Sequence, residues 1–232
     1  MDLEALFLGG TKGLGLSMAK IALKEGWAIT VAGRTSCACS IVVEGLAAGF
    51  LLDLEDGAPR ELSKAFDLIV WTAGAYQEGP IIGLSRGDIR SICRNHLEGP
   101  VSFLVPILQK NRELGRPVFL IVVASSSSFR VRTNEGLYGT NKAAKAQLAR
   151  TLGQELPSLI PGSRVLLANP GGMATPFWDG RGRDTSGFMD SNAVAACIWD
   201  EMQSQNVPFK EIHVVRQSDK SPKVEYGARL PE

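Results

Sequence analysis

The sequence predicts an α/β fold, a doubly wound sheet of about seven parallel strands with helices on both faces. Three observations point there. Short apolar runs alternate with segments of helical periodicity along the chain, and a glycine-rich turn joins the first run to the first helical segment. The run 118–124 is apolar throughout and β-branched in its middle, as in a strand covered on both faces.

Ala5-Leu6-Phe7-Leu8 is the first expected strand, and Leu16 to Leu23 has the periodicity of the first helix. Ala28 to Ala32 follows Gly26 as a second strand, Phe50-Leu51-Leu52 is a third and Leu68-Ile69-Val70-Trp71 a fourth. Val118 to Ala124, Val165 to Ala168 and Ile212 to Val215 complete seven. Helical segments are expected at about 88–113, 136–156 and 191–204. The stretch from Arg34 to Asp53 is short for a full helix with its connections, so a helix there should be truncated or missing. Strands alternating with helices imply right-handed crossovers. No repeat, low-complexity tract or Pro/Gly-rich linker divides the chain, so residues 1–232 are expected to form one domain. The Gly-, Asp- and Arg-rich stretch Pro176 to Gly187 reads as a mobile substrate loop, about 176–190.

Composition narrows the classes of function. The chain is 44% hydrophobic and 21% charged, with a formal net charge of +1, which argues against nucleic-acid or anionic-membrane partners. No apolar stretch approaches the roughly 20 residues that span a bilayer. The start Met1-Asp2-Leu3-Glu4 lacks the basic opening of a signal peptide, so a cytoplasmic location is the expectation. Cys37, Cys39, Cys93 and Cys197 form no CxxC pair and no zinc-ligand spacing, and read as free thiols. His96 and His213 are too far apart in sequence to suggest a metal site.

Gly9-Gly10-Thr11-Lys12-Gly13-Leu14-Gly15 lies where the first strand should end and the first helix begin. Gly9, Gly13 and Gly15 would let backbone amides approach a pyrophosphate, and the helix N-terminus adds favourable partial charge, as in a Rossmann-like sheet. The second strand ends in Ala32-Gly33-Arg34. An acidic residue there would suit the ribose hydroxyl of NAD(H), whereas an arginine suits the 2′-phosphate of NADP(H). Lys12 supplies a second positive charge, so NADP(H) is the expected cofactor.

Tyr138 and Lys142 are spaced to share one face of a helix. An ammonium group held beside a phenol favours the phenolate and brings proton transfer closer to neutral pH. That spacing alone is common on surface helices; its weight comes from the cofactor loop upstream.

With these motifs the chain resembles the short-chain dehydrogenase/reductase family, of the compact single-domain type, from about Leu6 to Val215. Leu8 to Gly15 is similar to the family's TGxxxGxG loop, with Leu8 in place of Thr. Asp53-Leu54 resembles the adenine-contacting segment, and Trp71-Thr72-Ala73-Gly74 resembles NNAG with both asparagines replaced. Tyr138-Gly139-Thr140-Asn141-Lys142 is similar to YxxxK, and Asn169-Pro170-Gly171-Gly172-Met173-Ala174-Thr175 to the segment bordering the nicotinamide.

The resemblance implies hydride transfer between a nicotinamide and a carbonyl or alcohol substrate. Tyr138 would be the acid/base, Lys142 its pKa-lowering partner and ribose ligand, and a serine would hold the substrate oxygen. A gapless count back from Tyr138 favours Ser125, whereas matching the strand end to the family's double serine favours Ser126; Ser125 is preferred. Ser127 and Ser128 continue the run. Where relatives carry a relay asparagine, aligning on Gly99 puts His96 at that position and leaves Asn95 one residue off.

The resemblance also implies a homodimer or homotetramer built through the helices near 88–113 and 136–156. A substrate pocket lined by Ala75, Tyr76, Phe129, Val131, Phe177, Trp178, Phe188 and Met189 would favour an apolar or aromatic substrate. Arg181 and Arg183 read as solvated cations able to attract an anion. A non-catalytic NADP(H)-binding sensor or scaffold is the alternative reading. A nucleotide-sugar epimerase is disfavoured by the short stretch after Thr175.

Overall fold

A computed structural model describes residues 3–33, 48–51 (backbone only), 62 and 64–227. Strands β1 (Glu4–Leu8), β2 (Ala28–Gly33), β3 (Ala48–Leu51), β4 (Leu68–Trp71), β5 (Phe119–Val123), β6 (Arg164–Pro170) and β9 (Phe209–Arg216) pair in parallel. The order across the sheet is β10-β9-β6-β5-β4-β1-β2-β3. Each expected strand is present, with bounds shifted by a few residues. The doubly wound fold is therefore observed.

Strand β10 (Pro222–Tyr226) adds an eighth, antiparallel strand beside β9 that sequence reading did not anticipate. Its residues are half-buried or exposed, so it carries no apolar run to mark it. A two-stranded pair, β7 (Met173–Ala174) with β8 (Met189–Asp190), was also unanticipated.

The apolar runs arise because both faces of the sheet are covered. Along β1, Ala5 and Phe7 enter one core with helices α1 (Gly13–Lys24) and α5 (Ser191–Ser204), while Leu6 and Leu8 enter the opposite core. That second core holds Phe103, Leu104 and Ile107 of α3 (Gly99–Glu113) and Ala146, Ala149 and Leu156 of α4 (Gly136–Leu159).

The expected helix near 88–113 is composite. Helix α2 (Arg86–Cys93) starts at a capping box between Ser85 and Asp88, and a π-helical turn, Arg94–Glu98, connects it to α3. Pro100 cannot donate an N–H to the carbonyl of His96, which accounts for a widened turn at this point.

Strand β1 lies between β2 and β4, so the strand order reverses there and opens a crevice at the strand C-terminal ends. Residues 34–47 and 52–61 lie outside the described residues, and with them Arg34, Asp53, Leu54 and the question of a truncated helix. Among the described residues no helix is long and apolar enough to cross a membrane, and no cluster suited to a metal ion occurs.

Candidate active site

The β1–α1 turn forms one end of the crevice. Gly9 has φ 94°, and a Cβ there would stand 2.6 Å from the backbone nitrogen of Ala73. Gly13 has φ 52°, again in the region that favours glycine. Helix α1 begins after Lys12 with no side-chain cap and no acidic residue in its first turn. Its leading amides therefore present donors and partial positive charge with no carboxylate of the helix's first turn competing for them. This arrangement fits the pyrophosphate of a dinucleotide.

From this turn a cavity of about 660 Å³ runs to Tyr138. Of the expected cofactor-binding residues, Gly9, Thr11, Lys12, Gly13, Leu14, Gly15, Ala73, Gly74, Tyr138, Lys142, Pro170, Gly171, Met173 and Thr175 all line it. Four separate chain segments are thus brought together at the strand ends. Thr72, in place of an asparagine, lies with Oγ1 3.2 Å from the carbonyl oxygen of Leu8 and 3.1 Å from that of Gly9, tying β4 to the glycine turn.

The serine run after β5 resolves into four different environments. Of the four, Ser125 is the one whose side chain acts on the Tyr138 phenol, lowering its proton affinity. Ser126 Oγ accepts from Arg132 Nη2 at 3.2 Å, and Ser127 Oγ donates to Glu135 Oε2 at 2.9 Å. Ser128 Oγ lies 3.0 Å from Asn169 Oδ1. Ser125 and Ser126 both line the cavity, but Ser125 is the one that acts on the tyrosine.

Tyr138 and Lys142 are buried on the same face of α4, as their spacing predicted. The electrostatics differ from expectation. Burial pushes the Tyr138 phenol well above its ordinary value; Ser125 pulls it down, while Glu135 and Tyr76 push it further up. Burial lowers the Lys142 ammonium to about 8. Lys142 Nζ stands 5.6 Å from the centroid of the Tyr138 ring.

A second buried lysine was missed. Lys145 is fully buried and donates to the carbonyl oxygens of Trp71 and Ala73, each at 3.2 Å, with Nζ 4.1 Å from the Trp71 ring centroid. Burial, followed by the charge of Lys142, holds its pKa well below the usual lysine value. It ties down the strand end where both family asparagines are replaced. Tyr-xxx-Lys spacing draws attention to Lys142, and nothing in the pattern marks a lysine three residues later as interior.

Asn95 lines the cavity, and its Nδ2 donates to Ser91 O at 3.0 Å. His96 turns toward the 73–75 segment, with Nε2 3.1 Å from the nitrogen of Ala75. Burial and then the Lys142 charge lower His96 to about 3, so its ring is neutral. Aligning on Gly99 would put the histidine at the relay position, whereas the π turn brings Asn95 to the cavity wall.

Glu135, also unanticipated, is a buried carboxylate one turn before Tyr138. It accepts from Tyr76 OH at 3.2 Å and from Ser127, and faces Arg132 Nη1 at 3.7 Å. Tyr76 packs edge-on against Tyr138 with ring centroids 5.0 Å apart. Burial, then the charges of Glu135 and Glu78, push the Tyr76 phenol up to about 12. At the foot of β6, Asn169 donates to Glu211, which holds Arg150 in a two-pronged pair at 2.9 and 2.8 Å.

Ala75, Tyr76, Phe177 and Trp178 line the cavity as expected. Val131 does not: it is 83% exposed and lines neither this cavity nor its neighbour. Met189 is corrected too, since as the first residue of β8 it lies fully buried in the core. Phe129 and Phe188 line an adjoining, smaller cavity. In the expected loop, Pro176–Trp178 forms a 3-10 turn, and the Trp178 indole donates to Met173 O at 2.9 Å. The site thus assembles a proton-bearing phenol, a serine hydroxyl and a buried ammonium on one cavity wall beside a dinucleotide-sized cradle.

Comparison with known proteins agrees with this geometry. The profile of the short chain dehydrogenase family matches residues 4–186. The chain is 28% identical over 171 residues to a 3-oxoacyl-acyl-carrier-protein reductase of rhamnolipid biosynthesis from Pseudomonas aeruginosa, covering 66% of each. It is 30% identical over 162 residues to a C alpha-dehydrogenase from Sphingobium sp., covering 63% of this chain and 53% of the relative. The matches therefore span under two thirds of these relatives' lengths. Among solved structures, an alcohol dehydrogenase from Thermococcus sibiricus complexed with 5-hydroxy-NADP superposes with a TM-score of 0.78 at 19% identity, covering 92% of this chain and 96% of that one. A 3-ketoacyl-acyl-carrier-protein reductase from Brucella melitensis complexed with NADH gives 0.74 at 20% identity, covering 91% and 96%. At such identities these structures speak for the fold alone.

Proposed function

Because this chain belongs to the short-chain dehydrogenase/reductase family, we propose that it is an NADP(H)-dependent oxidoreductase interconverting a small-molecule carbonyl and its alcohol. The observation that carries this reading is the meeting of Ser125, Tyr138 and Lys142 at one end of a cavity whose other end is the uncapped start of α1. The nicotinamide, when bound, supplies or accepts the hydride. Tyr138, protonated at neutral pH, donates its proton to the carbonyl oxygen in reduction and recovers it from the alcohol in oxidation. Ser125 holds that oxygen and stabilises the charge developing on it. Lys142 offers its ammonium to the ribose, and Ser125, which lowers the phenol's proton affinity, eases the proton transfer.

The NADP(H) preference is supported by Arg34 after β2 and Lys12 in the turn, with no acidic residue ending the strand. In the proposal Asp53 and Leu54 border the adenine. Incubating the protein with NADPH or NADH and a panel of ketones and aldehydes tests both parts. Faster turnover with NADPH is expected, and equal turnover with NADH would remove the role given to Arg34 and Lys12. Tyr138→Phe should abolish turnover while NADPH still binds; a variant that remains active would sink the assignment.

We propose further that the chain, one domain, works in the cytoplasm as a homodimer or homotetramer through α2–α3 and α4. Light scattering on the purified protein should return two or four subunits, and a monomer would overturn this.

A further inference from the structure

A second cavity, of about 260 Å³, adjoins the first, with Ser126, Arg132, Glu135 and Trp178 lining both. Its remaining wall brings in Arg130, Arg183 and Arg216, so four guanidinium groups and a single carboxylate, Glu135, meet around it. Two of the four are already answered. Arg132 faces Glu135 at 3.7 Å, and Arg183 reaches Glu78 at 3.2 Å. Among the described residues no carboxylate pairs with Arg130 or Arg216. Arg130 lies 5.8 Å from the Phe129 ring centroid, and Arg216 donates to the carbonyl of Gly187.

The chain as a whole is nearly neutral, so this concentration of positive charge is local. Trp178, Phe129 and Phe188 give the same cavity apolar walls. Low-dielectric walls strengthen the attraction of a cation for an anion, and a guanidinium fork suits carboxylate and phosphate oxygens.

We propose that this second cavity binds an anionic tail, carboxylate or phosphate, of the substrate whose carbonyl carbon is reduced beside Tyr138. Arg130 and Arg216 hold the anion, and the aromatic walls hold the apolar part that links it to the reacting end. The inference rests on the oxidoreductase reading for the identity of the reacting end, but the anion site itself is readable without turnover.

The test is calorimetric titration with phenyl phosphate, benzoate and the neutral probe benzyl alcohol, in excess NADP+ so that the glycine turn does not capture phosphate. At least one anion should bind about tenfold more tightly than benzyl alcohol, the scale of one to two charge-assisted contacts. Comparing phenyl phosphate with benzoate decides which anion is preferred. The double variant Arg130→Gln/Arg216→Gln, at two exposed positions, should reduce that preference to below about threefold. Equal binding of benzyl alcohol and both anions would overturn the proposal, and so would an anion preference that survives the double variant. A protein that shows the arginine-dependent preference yet reduces no carbonyl would instead refute the oxidoreductase reading and keep the site.

Discussion

Replacing Ser125 and, separately, Ser126 with alanine discriminates between two neighbours that the sequence leaves close to equivalent. The Ser125 side chain acts on the Tyr138 phenol and lowers its proton affinity, while Ser126 accepts from Arg132, whose side chain is 40% exposed. Removing a donor aimed at a developing oxyanion costs about 10²–10³ in turnover. Ser125→Ala should lose that much. It also leaves the Ser127 N–H without its 3.1 Å acceptor, a structural cost of roughly 0.5–1.5 kcal/mol. Ser126→Ala removes one hydrogen bond to a half-solvated arginine, so its turnover should fall by less than about fivefold. The assay is loss of NADPH absorbance with one carbonyl substrate at saturating cofactor, with thermal denaturation run in parallel to show that both variants are folded. The reasoning fails if Ser126→Ala loses as much activity as Ser125→Ala, or if Ser125→Ala keeps more than about a tenth.

Gly9→Ala forces a Cβ into a left-handed backbone 2.6 Å from Ala73 N. It should cost about 2 kcal/mol or more, lowering the melting temperature by about 4–8 °C, and weaken NADPH binding in fluorescence titration; an unchanged melting temperature would contradict it. His96 has a folded pKa of about 3, below the ordinary 6.5. The stability it contributes is therefore complete above pH 6.5 and is lost as pH falls toward 3. Urea denaturation should show the advantage of wild type over His96→Asn shrinking by about 1.4 kcal/mol per pH unit between about pH 6 and 4, and parallel curves would refute this. Lys145 is likewise depressed below its unfolded value of 10.5. The unfolded chain binds more protons, so wild-type stability should rise with pH toward 10.5. Lys145→Met should flatten that rise, leaving only the share due to Lys142, and an unaltered pH slope would count against a buried, depressed lysine.

Much of the fold is legible because local pattern and tertiary role coincide. Strands buried on both faces must be apolar on successive residues, so β1, β4 and β5 announce themselves. Strand β10 does not, because an edge strand with half-exposed residues has no such requirement. The π turn at Arg94–Glu98 was equally hidden: Pro100 marks a constraint but does not say whether Asn95 or His96 will face the cavity. Arg132, Glu135 and Lys145 went unnoticed because ordinary charged residues on a loop and a helix carry no sign of burial or of partners distant in sequence.

What the sequence alone determined was the inventory and spacing of the chemistry: a glycine turn between strand and helix, a serine run, and a tyrosine and lysine one turn apart. These depend on backbone permissiveness and helical period, which are local. Only the tertiary structure decided which serine acts on the phenol, that burial raises the phenol's proton affinity, and that arginines gather behind Glu135. Those outcomes depend on desolvation and on distances between residues far apart along the chain, which packing alone determines.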